Sequence, residues 1–152
     1  MVTKILLPHD GTEMSNKALA RAIEFKAFNS EVVLLHVIED IPVPPMLVLG
    51  NDRVLISRAK RSIAVELKKG WDKTSEEKII ASLVPKDLKP RVRSEAVVGS
   101  PAEQIIKFAR ANKIDMIIVG SRRLESVSKI KALGSVARKV SEAAECPVLI
   151  VH

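Results

Sequence analysis

Three short segments carry the residue types that chemistry would need. Pro8-His9-Asp10-Gly11 sets an imidazole and a carboxylate against a glycine turn, directly after an apolar run. His36 to Asp40 places a second imidazole and two carboxylates at the end of another. The third is GSRRLESVSKIKALGS, Gly120 to Ser135, where two Gly-Ser pairs bracket Arg122, Arg123, Lys129 and Lys131. Gly134-Ser135 stands just before a helical pattern and offers backbone N–H groups and a hydroxyl to an anion. Such donors have no intrahelical partner, and the helix dipole favours negative charge. The bland readings stand beside these. Asp10-Gly11 is a ligand contact or a plain turn, Gly134-Ser135 an anion site or a plain cap, and the four basic side chains phosphate contacts or a solvated face. His36, inside an apolar run, reads as a packed histidine, whereas His9 faces either a cleft or solvent. Without a nucleotide, His9 and Asp10 are a thin basis for a metal site.

The elements that would position these residues alternate along the chain. Lys4–Pro8 and Glu31–Ile38 read as strands, the second apolar on both faces as in a covered parallel sheet. Between them Thr12–Phe28 carries Ala18, Leu19, Ala22, Ile23 and Phe25 at helical spacing, with Thr12 or Ser15 as the cap. Glu39–Asn51, with its prolines, reads as a loop or lid. A long helix follows over Asp52–Leu83, with Ala59, Ile63, Leu67 and Trp71 as its expected buried stripe and Gly70 as a point of bending. Pro85–Pro90 is a linker and Arg91–Val98 a half-exposed strand. Ser100, Pro101 and Glu103 form a helix-start signal for a segment reaching Asn112. Ile114–Val119 is a fourth strand, Val136, Val140 and Ala143 mark one face of a last helix, and Pro147–Val151 a fifth strand. This β-α-β-α-β-α-β-α-β order calls for a single domain, residues 1–152, built on an open parallel sheet with helices on both faces. Ligands of such sheets sit beyond the carboxyl ends of the strands, where all three chemical segments end up.

Composition narrows the function classes. A hydrophobic share of 47% beside 28% charged residues reads as soluble and globular, and no apolar run approaches a bilayer span of roughly 20 residues. The N-terminus shows no signal-peptide pattern, and one cysteine, Cys146, read as structural, fits a reducing cytoplasm. The net charge of +7 would attract polyanions, but with aromatics confined to Phe25, Phe28, Phe108 and Trp71, base stacking has too few platforms. Nucleic acid is therefore not the expected main ligand. Neither G-x-x-x-x-G-K-[ST] nor G-x-G-x-x-G after a strand occurs, which argues against motor-type ATPase and dinucleotide dehydrogenase readings, and the lack of a G-x-S-x-G elbow weakens a hydrolase reading.

Taken in order, ILLPHDGTEMSNKAL, VVLLHVIE, VVGSPAEQII, DMIIVGS, LGSVARKV and CPVLIV resemble the universal stress proteins over almost the whole chain. The resemblance implies a Rossmann-like, adenine nucleotide alpha hydrolase-like sheet of five parallel strands in the order 3-2-1-4-5. It also implies a homodimer through the last strand, Val148–Val151, and an adenine nucleotide (ATP, ADP or AMP), with Mg or Mn accompanying it as an option. By the same resemblance Pro8, Asp10 and Gly11 would border the adenosine, and Asp10 would accept a ribose or adenine hydrogen bond or help hold the ion. Val37 would touch the adenine through its backbone, beside Val119, and Gly120 would allow close approach to the ligand. Gly134, Ser135 and Val136 would offer donors to phosphate, near Arg122 and Arg123. The ATP-binding branch of that family carries G-x2-G-x9-G-[ST] after strand four. Here Arg123 stands where its second glycine is expected, and ten residues separate it from Gly134. Arginine removes the glycine's positive-φ freedom but supplies a fork that binds phosphate, so it either holds or blocks the ligand. No evident general base is present, so a stress-response sensor or regulator with at most slow ATP hydrolysis is expected rather than an enzyme. A protein-interaction module of the same family that binds no nucleotide, with an unidentified regulatory partner, is the alternative, and a polyanion binder a third.

Overall fold

The computed structural model describes residues 2–24, 30–40, 42–43, 52–121 and 133–152. Five strands, β1 (Lys4–Pro8), β2 (Glu31–Ile38), β3 (Val92–Val98), β4 (Met116–Gly120) and β5 (Val148–Val151), form one parallel sheet in the order β3-β2-β1-β4-β5. Among the described residues the α-helices are α1 (Glu13–Glu24), α2 (Asp52–Thr74), α3 (Ala81–Leu83), α4 (Pro101–Ala111) and α5 (Ser135–Ala143). The expected class and strand order are both observed. Alternation along each strand splits the core into two layers. Ile5, Leu7, Leu34 and Ile118 meet Ala18, Leu19 and Ala22 of α1 and Trp71 of α2. On the opposite face Leu6, Val33, Leu35 and Ile117 meet Ala102, Ile105 and Ala109 of α4 and Val140 of α5.

Because the chain adds β2 and β3 on one side of β1 and then returns to lay β4 on the other, a crevice opens at the carboxyl ends of β1 and β4. The opposite ends of these strands are clamped. One carboxylate oxygen of Asp115 accepts from Thr3 N–H at 2.8 Å, the Thr3 hydroxyl at 2.7 Å and Lys4 N–H at 2.9 Å. These bonds hold the Asp115 carboxyl below its ordinary value, chiefly through Thr3. The same clamp explains why β4 starts at Met116 rather than at Ile114. Lys113, at φ 52°, turns the chain out of α4, and Ile114 N–H still donates to Ala109 O.

The long helix departs from its expected stripe. Ala59, Ile63 and Leu67 are exposed, and of the four only Trp71 is buried. The less exposed row is Ile56, Lys60, Ala64 and Lys68, one residue further along each turn. Lysine stems cover apolar surface while their ammonium groups stay wet, so they compete for the inner row, and Lys60 reaches Asp40 at 3.2 Å. Gly70 lies within the unbroken α2. The irregularity comes later, as a π-helical stretch over Ser75–Ile80 that leads into α3. Its wider turn keeps Ser75 and Ile79 on the buried side below Trp71. At α4, Pro101 takes the first helical position as expected, but Ser100 makes no side-chain cap bond, and Gln104 N–H closes onto Ser100 O instead. On α5, Ala137 and Val140 are buried whereas Ala143 is exposed.

Candidate functional site

A cleft of about 190 Å³ sits at the β1–β4 switch point. Pro8 and Asp10 reach it from the end of β1, Val37 from β2, Val119 and Gly120 from β4, and Val136 from the first turn of α5. These six sequence candidates therefore share one site. The structure adds His9, Ser15, Leu35, His36, Glu39, Pro101 and Ile105. Its walls are mainly apolar, with two imidazoles and two carboxylates placed among them.

The β1–α1 turn is fixed by its own side chains. Asp10 Oδ1 accepts from Thr12 N–H at 3.0 Å, from Thr12 Oγ1 at 2.6 Å and from Ser15 Oγ at 2.6 Å. Gly11 takes φ +81°, a conformation that costs a side chain strain, and a Cβ there would meet nothing within 4 Å. Gly11 N–H donates to His9 Nδ1 at 3.1 Å. An amide nitrogen only donates, so the His9 proton sits on Nε2, which donates to Asn16 Oδ1 at 2.9 Å. His36 takes the opposite tautomer, its Nδ1 donating to His9 O at 2.9 Å. His9 is only 2% exposed, and burial pushes its pKa below the ordinary 6.5 against the opposing pull of Asn16 and Asp10. His36 stacks on Trp71 with ring centroids 4.3 Å apart, the packed histidine that its apolar surroundings suggest.

Gly120 is required for packing. A Cβ there would come within 2.7 Å of Met14 O and 2.9 Å of Met14 C, so its absence is what lets α1 lie against β4. The next residue, Ser121, is 2% exposed. Its N–H donates to Val151 O at 2.8 Å, and its Oγ accepts from Gly134 N–H at 3.0 Å. Gly134 is the N-cap residue of α5, a helix with no side-chain cap, and Ser135 is exposed at its first position. Arg122 and Arg123 lie outside the described residues.

Among the described residues no three His, Cys, Asp or Glu side chains converge, and Asp10 Oδ1 already accepts three bonds. A larger groove of about 680 Å³ lies away from the switch point, between α2 and β3. Its cations Lys68, Lys89 and Arg93 face the carboxylates Asp72, Glu76 and Glu95, and Arg93 is ion-paired to Glu31 and Glu95, so its charges balance. Among the described residues no helix is long and apolar enough to cross a membrane.

Sequence reasoning missed Ser121 and Asn16, read Ser15 only as a helix cap, and left His9 undecided. The fixed order Asp10-Gly11-Thr12 with Ser15 is a legible signal for an aspartate-closed turn. Nothing local in the sequence joins Ser121 to Gly134.

The sequence profile described as the universal stress protein family matches residues 1–152. Universal stress protein MJ0531 of Methanocaldococcus jannaschii is 32% identical over 97% of this chain and 81% of its own length. Universal stress protein YxiE of Bacillus subtilis is 31% identical over the whole of both chains. The solved structure of MJ0577, also from M. jannaschii, superposes with a TM-score of 0.72 at 31% identity, covering 99% of this chain and 96% of that one. Two more distant structures share the fold. A universal stress protein in complex with cAMP gives a TM-score of 0.58 at 21% identity, covering 99% and 97% of the two chains. An Arabidopsis thaliana family protein with AMP bound gives 0.55 at 19%, covering 98% and 90%.

Proposed function

Since the chain belongs to the universal stress protein family, we propose that it is a cytoplasmic homodimer that binds an adenine nucleotide and acts as a stress-response sensor or regulator. The observation that carries this reading is the convergence of Pro8, Asp10, Val37, Val119, Gly120 and Val136 on one cleft at the switch point. Val119, Val136, Leu35 and Ile105 offer apolar walls to a base, and the Val37 backbone and Asp10 offer polar contacts to its edge and to the ribose. The cleft is smaller than the roughly 300–1,000 Å³ usual for drug-sized ligands, so it suits the adenosine part, with the phosphates reaching toward the first turn of α5. There the N–H groups of Ser135 and Val136 have no intrahelical acceptor. A Mg or Mn ion would arrive with the phosphates, and Asp10 is one of the two carboxylates that line the cleft. The cleft-lining His9 has both ring nitrogens engaged, which leaves it poorly placed as a general base. Sensing by occupancy fits better than turnover.

The two fold relatives holding cAMP and AMP set the ligand class to test. Mass spectrometry of small molecules that copurify with the chain, followed by calorimetry with ATP, ADP and AMP, checks it. Saturable heat is expected, and none at millimolar nucleotide with the fold confirmed overturns the reading. A second reading, a partner-binding module without nucleotide, is favoured by the small cleft and by the engagement of Gly134 N–H with Ser121. The same titration separates the two.

Dimerisation has a motive in β5. Pro147 O and Val151 O accept from β4, so odd-numbered residues face that strand, and Val148 and Ile150 present their backbone to the open edge. Pairing with the same strand of a second copy would cover it.

A further inference from the structure

Helix α2 carries an apolar row that the core does not use. Leu55, Ala59, Ile63 and Leu67 recur every four residues, so they form one ridge about 18 Å long. The ridge is open, with Leu55 63% exposed, Ile63 44% and Leu67 46%. Of the seven large hydrophobic side chains exposed among the described residues, five belong to α2, where Val54 and Val65 join these three. Single exposed apolar residues are ordinary on a surface, whereas a helical row of them marks a contact face. Charge identifies what fits that face. Between Asp52 and Glu66 the helix holds Arg53, Arg58, Lys60 and Arg61 and no carboxylate. Arg58 lies one turn from Leu55 and Lys60 one turn from Ile63, so cations flank the row on either side. Lys60 is paired to Asp40, but among the described residues Arg53, Arg58 and Arg61 make no ion pair.

We propose that this face of α2 is a docking surface for an acidic amphipathic helix of another protein. The partner's apolar side chains pack beside the row from Leu55 to Leu67, and its carboxylates meet Arg58 and Arg61. A second copy of α2 fits less well, because it would set the same arginines against each other. A bilayer is also a poor match. Interfacial helices place Trp or Phe among their leucines, and the one aromatic of α2, Trp71, is 7% exposed and packs in the core. No residue of α2 lines the cleft between β1 and β4, so the proposal holds with or without a nucleotide there.

Fluorescence anisotropy of labelled synthetic peptides with the full chain is the test. One peptide of about 18 residues, roughly 27 Å as a helix, carries leucine at four-residue spacing with glutamate beside it. A second has lysine in place of each glutamate. The glutamate peptide is expected to bind, more weakly as salt rises, and the lysine peptide not to bind. Leu55→Gln combined with Ile63→Gln keeps the charge and the helix propensity, and weakens binding by at least about tenfold. Arg58→Glu combined with Arg61→Glu turns the preference toward the lysine peptide, and this pair decides the matter should the glutamine variant fail to fold. No binding of the glutamate peptide, equal binding of both peptides, or binding that the glutamine variant leaves unchanged overturns the proposal. Two controls detect other occupants, and either overturns it. A change in sedimentation of the free chain in the glutamine variant means that a second copy covers the row. Binding of the wild type, but not of that variant, to phosphatidylserine vesicles means that a lipid surface does.

Discussion

Gly120→Ala separates two reasons for a glycine at the end of β4. If the residue only makes room for a ligand, the ligand-free protein gains from the change. Alanine narrows the unfolded ensemble, worth about 0.4–1 kcal/mol of stability, and Gly120 does not occupy the positive-φ region that would forbid a side chain. The structure argues the opposite sign. The new methyl would sit 2.7 Å from Met14 O and 2.9 Å from Met14 C, well inside the optimum of roughly 3.5–4 Å for such contacts. Both are backbone atoms in the first turn of α1, so a rotamer change cannot relieve the clash. Helix α1 must move off β4, drawing its Leu19 and Ala22 away from Ile118, which packs in the same layer. Overpacking of this kind costs about 1–3 kcal/mol, and subtracting the unfolded-state gain leaves a net loss of about 1–2 kcal/mol. Urea unfolding of the ligand-free protein followed by far-UV circular dichroism reads this directly. Gly11→Ala is the control, since strain at φ +81° costs about 1–2 kcal/mol with no steric contact to relieve. Unchanged or higher stability of Gly120→Ala would refute the close approach of α1 to β4.

Other expectations follow from the clamp, the orphan indole and the sheet edge. The depressed pKa of Asp115 means that its bonds stabilise the fold fully above its ordinary value of 3.8 and are lost as pH falls through the lower folded value. The stability difference between wild type and Asp115→Asn is therefore expected to be flat from pH 5 to 7 and to shrink in strong acid, as read by urea midpoints. Among the described residues, Trp71 Nε1 is buried without an acceptor. Trp71→Phe removes that donor and is expected to cost less than about 1.5 kcal/mol, against about 3–5 kcal/mol for Trp71→Ala, again by urea unfolding. Ile150→Pro deletes an outward N–H of β5 and spares the β4 ladder, so sedimentation is expected to show a folded monomer in place of the homodimer proposed for the wild type.

The strands were legible because β1, β2 and β4 are apolar on both faces, which only a covered parallel sheet explains. The order of elements then placed Asp10, Val37 and Gly120 at one edge, and the family resemblance added Val136. What escaped the sequence depends on pairs distant along the chain. The four-residue rows of α2 alternate apolar residues with long lysines, and periodicity does not tell which row the sheet accepts. Gly120 was read for its ligand, but its need comes from Met14, more than a hundred residues earlier. His9 was ambiguous because its burial depends on Asn16, Leu35 and Trp71 closing around it.

The central claim is that an adenine nucleotide occupies the crevice between β1 and β4. Titration of the isotopically labelled protein with AMP, followed by backbone amide shifts, tests it most directly. Saturable shifts concentrated at Asp10, Gly11, Val37, Val119, Gly120 and Val136 are predicted. The absence of shifts at millimolar AMP, or shifts centred instead on Arg93, Glu95 and the α2–β3 groove, would contradict it.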